Sequence, residues 1–288
     1  MSEEKKLMNR RTFLKATVAA ALGSILLPKL GLAGSAQFQA DSLQVWSCGG
    51  LAEPLMEVNA LYEQKRGIRI NYTGARAGTL GKALLSGAST TEIFAARGMK
   101  TVKSLRKADK MVYFKPLCFT EYVIITPKDN PAGIQKIDDM AKPGVRVILP
   151  LGASPPGGDS VVQILKKANL EEAVRKNMVS EESCVVTMMP KIIAGKGDAS
   201  IVERRLTCQD QYAGKVNVIP IDPAYFPPGS IPFTAGVMKA AADRKLADDF
   251  VEFVRSDEAQ AIFQKRGFIP ANSERGKQLI EKLGVKDA

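Results

Sequence analysis

The 288-residue sequence predicts an α/β fold: mixed, mostly parallel sheets flanked by helices, in two lobes with a ligand cleft between them. Three observations lead there. Apolar strand-like runs alternate with helix-like ones, which calls for sheets covered on both faces. Three Gly-rich turns follow strands and precede helices: Cys48-Gly49-Gly50, the turn at 74–78, and the turn at 155–158. Only one long irregular segment interrupts the pattern, at 222–232, and its four prolines suit a crossover between lobes.

LQVWS (43–47) reads as a buried strand ending in Cys48-Gly49-Gly50. LAEPLMEVNALYEQKRG follows, with apolar residues at 51, 55, 58 and 61 in helical spacing, Pro54 early and Gly67 as a stop. IRINY (68–72) is a second strand, GARAG (74–78) a turn, and TLGKALLSGA a short helix. TEIFAA reads as a strand and MKTVKSLRKAD as a helix. EYVIITPK (121–128) starts a new unit, joined by VRVILP (145–150), a VVQILKKANL helix, a helix from Val185 to Ile193, and strands at ASIVE and KVNVIPI. After 222–232 the chain reads as the strand IPFTAGVMK, then helices over ADDFVEFVRSDEAQAIFQKRG and SERGKQLIEKLG. MMPK (188–191) is read as core, since methionines fill gaps between helices and sheets.

In open α/β sheets, ligands bind beyond the carboxyl ends of the strands, where helix N-termini present unpaired N–H groups and the positive end of the peptide dipoles. SPPGGDS (154–160) fits that use: prolines stiffen the approach and Gly157 and Gly158 bare the backbone. The competing reading is that Asp159 or Ser160 caps its own helix.

Composition narrows the function. The formal charge is +11, of which the first 36 residues carry +4 (six Lys/Arg against Glu3 and Glu4) and the rest +7. The basic residues are scattered and aromatics are only 6%, which disfavours a nucleic-acid stripe and suits anionic ligands. The chain contains no histidine, so Ser-His-Asp and Cys-His nucleophiles and His-containing metal sites are excluded. Cys48, Cys118, Cys184 and Cys208 form no CxxC pair. An enzyme would need Glu203 as base or a thiol nucleophile, and no constellation supports either.

NRRTFLKA (9–16), followed by ATVAAALGSILLP and small residues up to Ala36, has the basic, apolar and small-residue regions of an export signal. Arg10-Arg11 with Phe13-Leu14-Lys15 resembles the twin-arginine type. Residues 1–36 are therefore expected to be a signal peptide and the mature protein periplasmic. No Cys stands at the cleavage site to carry a lipid anchor.

From about 42 to 270 the chain resembles the periplasmic molybdate- and tungstate-binding proteins of ABC importers. The resemblance lies in the order and spacing of LQVWSCGGLAEPL, GARAGTLGKALLSGASTTEIFAA, EYVIITPKDNP, PLGASPPGGDS, IIAGKGDASIVE and EAQAIFQKRGFIP. It implies the two-lobed type II periplasmic binding protein fold, with lobe I at 37–123 and 222–288 and lobe II at 124–221. It also implies a small anionic ligand, a permease partner in the inner membrane, no cofactor, no nucleic acid and a monomer.

That family holds a tetrahedral oxyanion with two serines, backbone N–H groups and a tyrosine. Those positions fall on Gly50, Ala77, Gly157, Val185 and Glu203, so the hydroxyls are missing. Gly49, Arg76, Gly78, Thr79, Gly158 and Cys184 lie beside them and complete the expected ligand-binding set. A buried Glu203 beside an anion needs a cation, with Arg76 or Arg204 as the expected partner. Cys48, Cys184 and Cys208 make a soft or thiophilic ligand an alternative, and a sensory rather than transport role is a second one.

Overall fold

A computed structural model describes residues 38–287 apart from Ser154; the signal-peptide reading at 1–36 lies outside these residues. Strands β1 (Ser42–Cys48), β2 (Arg69–Ala75), β3 (Ile93–Arg97), β4 (Met111–Phe119), β10 (Pro232–Met238) and β11 (Ile269–Pro270) form a six-stranded sheet in the order β11-β4-β10-β3-β1-β2. On one face, Leu43, Val45, Leu55, Val58 and Tyr62 pack with Phe250 and Phe263; the Tyr62 ring stands edge-on to Phe250 and Phe253, with centroids 5.1 Å apart. This layer comes from α1 (Ala52–Arg66), α8 (Arg244–Val254) and α9 (Asp257–Lys265). The other face is covered by α2 (Ala77–Ser86) and α3 (Lys100–Lys107), through Leu80, Leu84, Val102 and Leu105. Burial on both faces explains the almost unbroken apolar run of β3.

The chain leaves this sheet after Phe119 and builds a second set of strands. β5 (Tyr122–Pro127) lies between β8 (Ser200–Glu203) and β9 (Val216–Pro220), antiparallel to both. β6 (Val147–Leu149) and β7 (Met178–Glu181) pair in parallel, and a Val147–Ala199 bridge joins them to the three-stranded group. α4 (Gly157–Lys167) and α5 (Glu171–Lys176) cover one face and α6 (Val185–Ile193) the other, where Met188 and Met189 are fully buried as core. α7 (Arg204–Thr207) follows β8 directly, and α10 (Glu274–Leu283) closes the chain. No helix among the described residues is long and apolar enough to cross a membrane.

The sheets differ from the mostly parallel expectation. Only β1–β2, β1–β3 and β6–β7 pair in parallel as full strands, while β10 and β11 in the first sheet and β5 in the second run antiparallel to their neighbours. Two of these reversals, β5 and β10, fall where the chain enters or re-enters a sheet after a passage between the two, while β11 follows α8 and α9 within the first sheet's layer. No expectation from the sequence covers 111–119, where β4 forms around Pro116. The structure accommodates the proline at a register shift opposite Phe233 and Thr234. The run 247–267, read as one helix, is two: Ser256 breaks it by accepting a hydrogen bond from the Ala259 N–H.

Candidate functional site

A cavity of about 320 Å³ opens where the carboxyl ends of β1, β2, β3 and β8 meet the starts of α2, α4 and α6. At about 30 Å³ per water, that is room for roughly ten waters. All of the expected binding residues line it except Thr79 and Gly158: Gly49 and Gly50 after β1, Arg76, Ala77 and Gly78 at the start of α2, Gly157 at α4, Cys184 and Val185 at α6, and Glu203 at the end of β8.

The helix starts differ in how their unpaired N–H groups are met. α2 begins after Arg76 and α4 after Pro156, neither with a side-chain cap. Asp159 and Ser160 therefore do not cap α4; the Ser160 hydroxyl instead bonds the Ser230 hydroxyl at 2.9 Å. At α6 the Val186 N–H donates to the Cys184 sulfur at 3.4 Å. The two glycines of α4 serve different ends. A Cβ on Gly157 would meet only Ala153 at 3.6 Å, whereas one on Gly158 would lie 2.2 Å from the Leu151 carbonyl oxygen. Gly158 is needed for close backbone packing, and Gly157 faces the cavity.

Glu203 takes partners other than those expected. Its Oε1 accepts from the Arg97 guanidinium at 2.6 Å and its Oε2 from Arg205 Nε at 2.7 Å, with the Thr120 hydroxyl 3.4 Å away. Arg204 turns instead to Glu121 at 3.2 Å, and Arg76 is exposed at the rim, with no ion pair among the described residues. Arg97 and Glu203 have side chains only 8% and 6% exposed. Arg97 also donates to the Ser230 carbonyl at 2.8 Å and the Tyr122 hydroxyl at 2.9 Å, and its guanidinium sits 5.3 Å from the Phe233 ring centroid. One side chain from β3 thus ties the first sheet to β8, to the start of β5 and to the segment leading into β10.

Burial alone would raise the Glu203 carboxyl, but Arg205 and Arg97 outweigh it and hold it down at about 2. Burial works against the Arg97 charge too, yet the Glu203 carboxylate raises its pKa. The cluster is therefore fully ionised and carries one net positive charge. Arg205 spends only Nε on Glu203; its terminal nitrogens have no protein partner among the described residues, and the side chain lines the cavity. Arg97, Arg205 and Tyr122 escaped the sequence reading. The only available signal was that a buried Glu203 demands a cation, which does not say which one.

The four thiols are unpaired. Cys48 lines the cavity but is buried, which pushes its thiol up to about 11 in spite of Arg97 and Arg205. It is protonated at neutral pH and a poor soft-metal ligand. Cys184 is exposed at the cavity edge, Cys208 stands outside the lining, and Cys118 is fully buried in β4. No group of three His, Cys, Asp or Glu among the described residues is placed to hold a metal ion.

An α/β chain with a cavity at its strand ends, walled by helix starts and a pinned arginine, has the form of a binding protein. The family model of the bacterial extracellular solute-binding proteins matches residues 43–269, and the chain belongs to that family, whose members bind solutes and are not enzymes. The molybdate-binding protein ModA of Mycobacterium tuberculosis is 26% identical over 241 residues, covering 80% of this chain and 85% of that protein. Among solved structures, a substrate-binding domain from Clostridium difficile assigned to a molybdenum ABC transporter matches with a TM-score of 0.69 at 19% identity, covering 80% of this chain and 98% of that one. PEB3, a Campylobacter jejuni protein, in its L-phospholactate complex matches with a TM-score of 0.59 at 20% identity, covering 79% and 99%.

Proposed function

We propose that this chain is the substrate-binding component of an ABC importer, exported through a twin-arginine-type signal, that captures a small oxyanion and delivers it to a permease. The observation that carries the reading is Arg205: Glu203 holds its Nε, its terminal nitrogens have no protein partner among the described residues, and the side chain lines a cavity walled by uncapped helix starts. A guanidinium held this way offers two parallel N–H donors to two anion oxygens. The N–H groups at Ala77, Gly78, Gly157 and Val185 would meet the remaining oxygens. Guanidinium donors thus stand in for the hydroxyls missing at Gly50, Ala77 and Glu203. The ModA likeness supports molybdate or tungstate as candidates, and the PEB3 complex supports a wider range of anions on this fold.

In this reading the two sheets belong to lobe I (37–123 and 222–288) and lobe II (124–221), and hinge closure over the ligand makes the form the permease recognises. Arg97 and Glu203 sit where the lobes meet. Isothermal titration of the purified protein against molybdate, tungstate, sulfate, phosphate, arsenite and small carboxylates tests the reading. Saturable one-to-one binding of at least one of them is expected; no heat and no thermal shift with any overturns it.

A further inference from the structure

Resting on that reading of the cavity as an anion site, we infer that the natural solute is a small organic monocarboxylate with an apolar body rather than a bare tetrahedral oxyanion. The charge balance comes first. Arg97, Glu203 and Arg205 together leave one positive charge, which a single carboxylate neutralises. Arg76 stands exposed at the rim, where solvent and salt screen it. The head geometry agrees: the open end of Arg205 is planar and two-pronged, the complement of a carboxylate's two oxygens.

The walls point the same way. Ala77, Pro155, Pro156 and Val185, apolar and at least partly exposed, line the cavity. The helix-start N–H groups serve the head group, and the part of a ligand that lies against these apolar residues is better carbon than oxygen. Of the hydroxyls that line the cavity, that of Tyr122 accepts from Arg97, and Ser183 stands exposed. Space for roughly ten waters exceeds what one compact oxyanion fills and leaves room for a chain of several carbons.

Isothermal titration of the purified protein with acetate, propionate, butyrate and valerate, beside molybdate and sulfate, tests this. Affinity is expected to rise about fourfold per buried methylene along the series, ending above that of molybdate. Arg205→Lys, which keeps a cation beside Glu203 but loses the two-pronged donor, should weaken valerate at least tenfold. Molybdate or sulfate binding more tightly than valerate, or a flat carboxylate series, overturns this inference while the importer reading stands. Silence from every anion overturns both. The chain-length series uses the unaltered protein, so it decides the matter even if the variant unfolds.

Discussion

Glu203 and Glu182 are both buried carboxylates held at about 2, but by opposite kinds of neighbourhood. Glu182 is served entirely from nearby in the chain. Lys191 pairs with its Oε1, the Ser180 hydroxyl donates to the same oxygen at 2.7 Å, and the Thr187 hydroxyl donates to Oε2 at 2.8 Å. These contacts tie α6, from Thr187 near its start to Lys191 in its last turn, to the end of β7. Glu203 takes Arg205 from two residues along but draws its other partners from far away, with Arg97 separated by 106 residues and Thr120 by 83. One carboxylate orders a single helix, while the other fastens two sheets behind the cavity and aims Arg205 into it.

Removing the charge at Glu203 should cost the most. Glu203→Gln leaves Arg97 and Arg205 facing each other with no counter-charge in a buried site. Breaking a buried pair on one side typically costs about 3–5 kcal/mol. Urea unfolding should show that loss, together with weaker ligand binding as Arg205 loses its anchor. A loss below about 1 kcal/mol would mean that the cluster does not join the two sheets.

Acid unfolding tests what the two carboxylates share. The folded Glu203 carboxyl lies near 2, below its ordinary value of 4.5, so the unfolded chain binds the proton more readily between those values. Its stabilisation is complete above about pH 4.5 and drains away as pH falls toward 2. Glu182 follows the same sign in the same window, because Lys191, Ser180 and Thr187 hold it down. Glu203→Gln and Glu182→Gln should therefore flatten the acid limb of the stability curve to a similar extent. An acid limb left unchanged in either variant would mean that its carboxyl is not held down in the folded chain.

How much of this was legible depended on distance along the chain. The α6 helix was read with its observed limits, Val185–Ile193, because its apolar spacing is a local signal. The three Gly-rich turns pointed to one cavity because strand-end geometry is general. What escaped were decisions made over long separations or single residues. Arg97 ends a buried strand with nothing in its own segment to mark it as the partner of Glu203. Arg204 and Arg205 are adjacent, and only the turn from β8 into α7 sends one to Glu121 and the other to Glu203. Gly157 and Gly158 look alike in sequence, yet the Leu151 carbonyl separates their roles. β4 lay outside the sequence reading, and its Pro116 sits beside a register shift in the pairing with β10.

Glu182→Gln should be milder, about 1 kcal/mol, because water already reaches Lys191, whose side chain is 38% exposed. Its main effect should be local: faster hydrogen exchange in the first turns of α6, with the rest of the fold unchanged. Exchange rising equally across both sheets would contradict a role confined to one helix.

Salt gives the smallest and most selective effect. At about 1 M the screening length shrinks to roughly 3 Å, which weakens ion pairs that water can reach and leaves enclosed ones largely intact. The Lys191–Glu182 pair is open on its lysine side, while Arg97 and Glu203 are closed off by Tyr122, Phe233 and Ser230. The stability penalty of Glu182→Gln should therefore shrink by a few tenths of a kcal/mol between low and high salt. The penalty of Glu203→Gln should hold nearly constant over the same range. Measuring both variants by urea unfolding at the two salt levels isolates burial, since the carboxylates share a residue type and a depressed pKa. A Glu203 penalty that faded with salt as fast as that of Glu182 would mean that water enters the cluster, and that Arg205 is not held firmly enough to select a ligand.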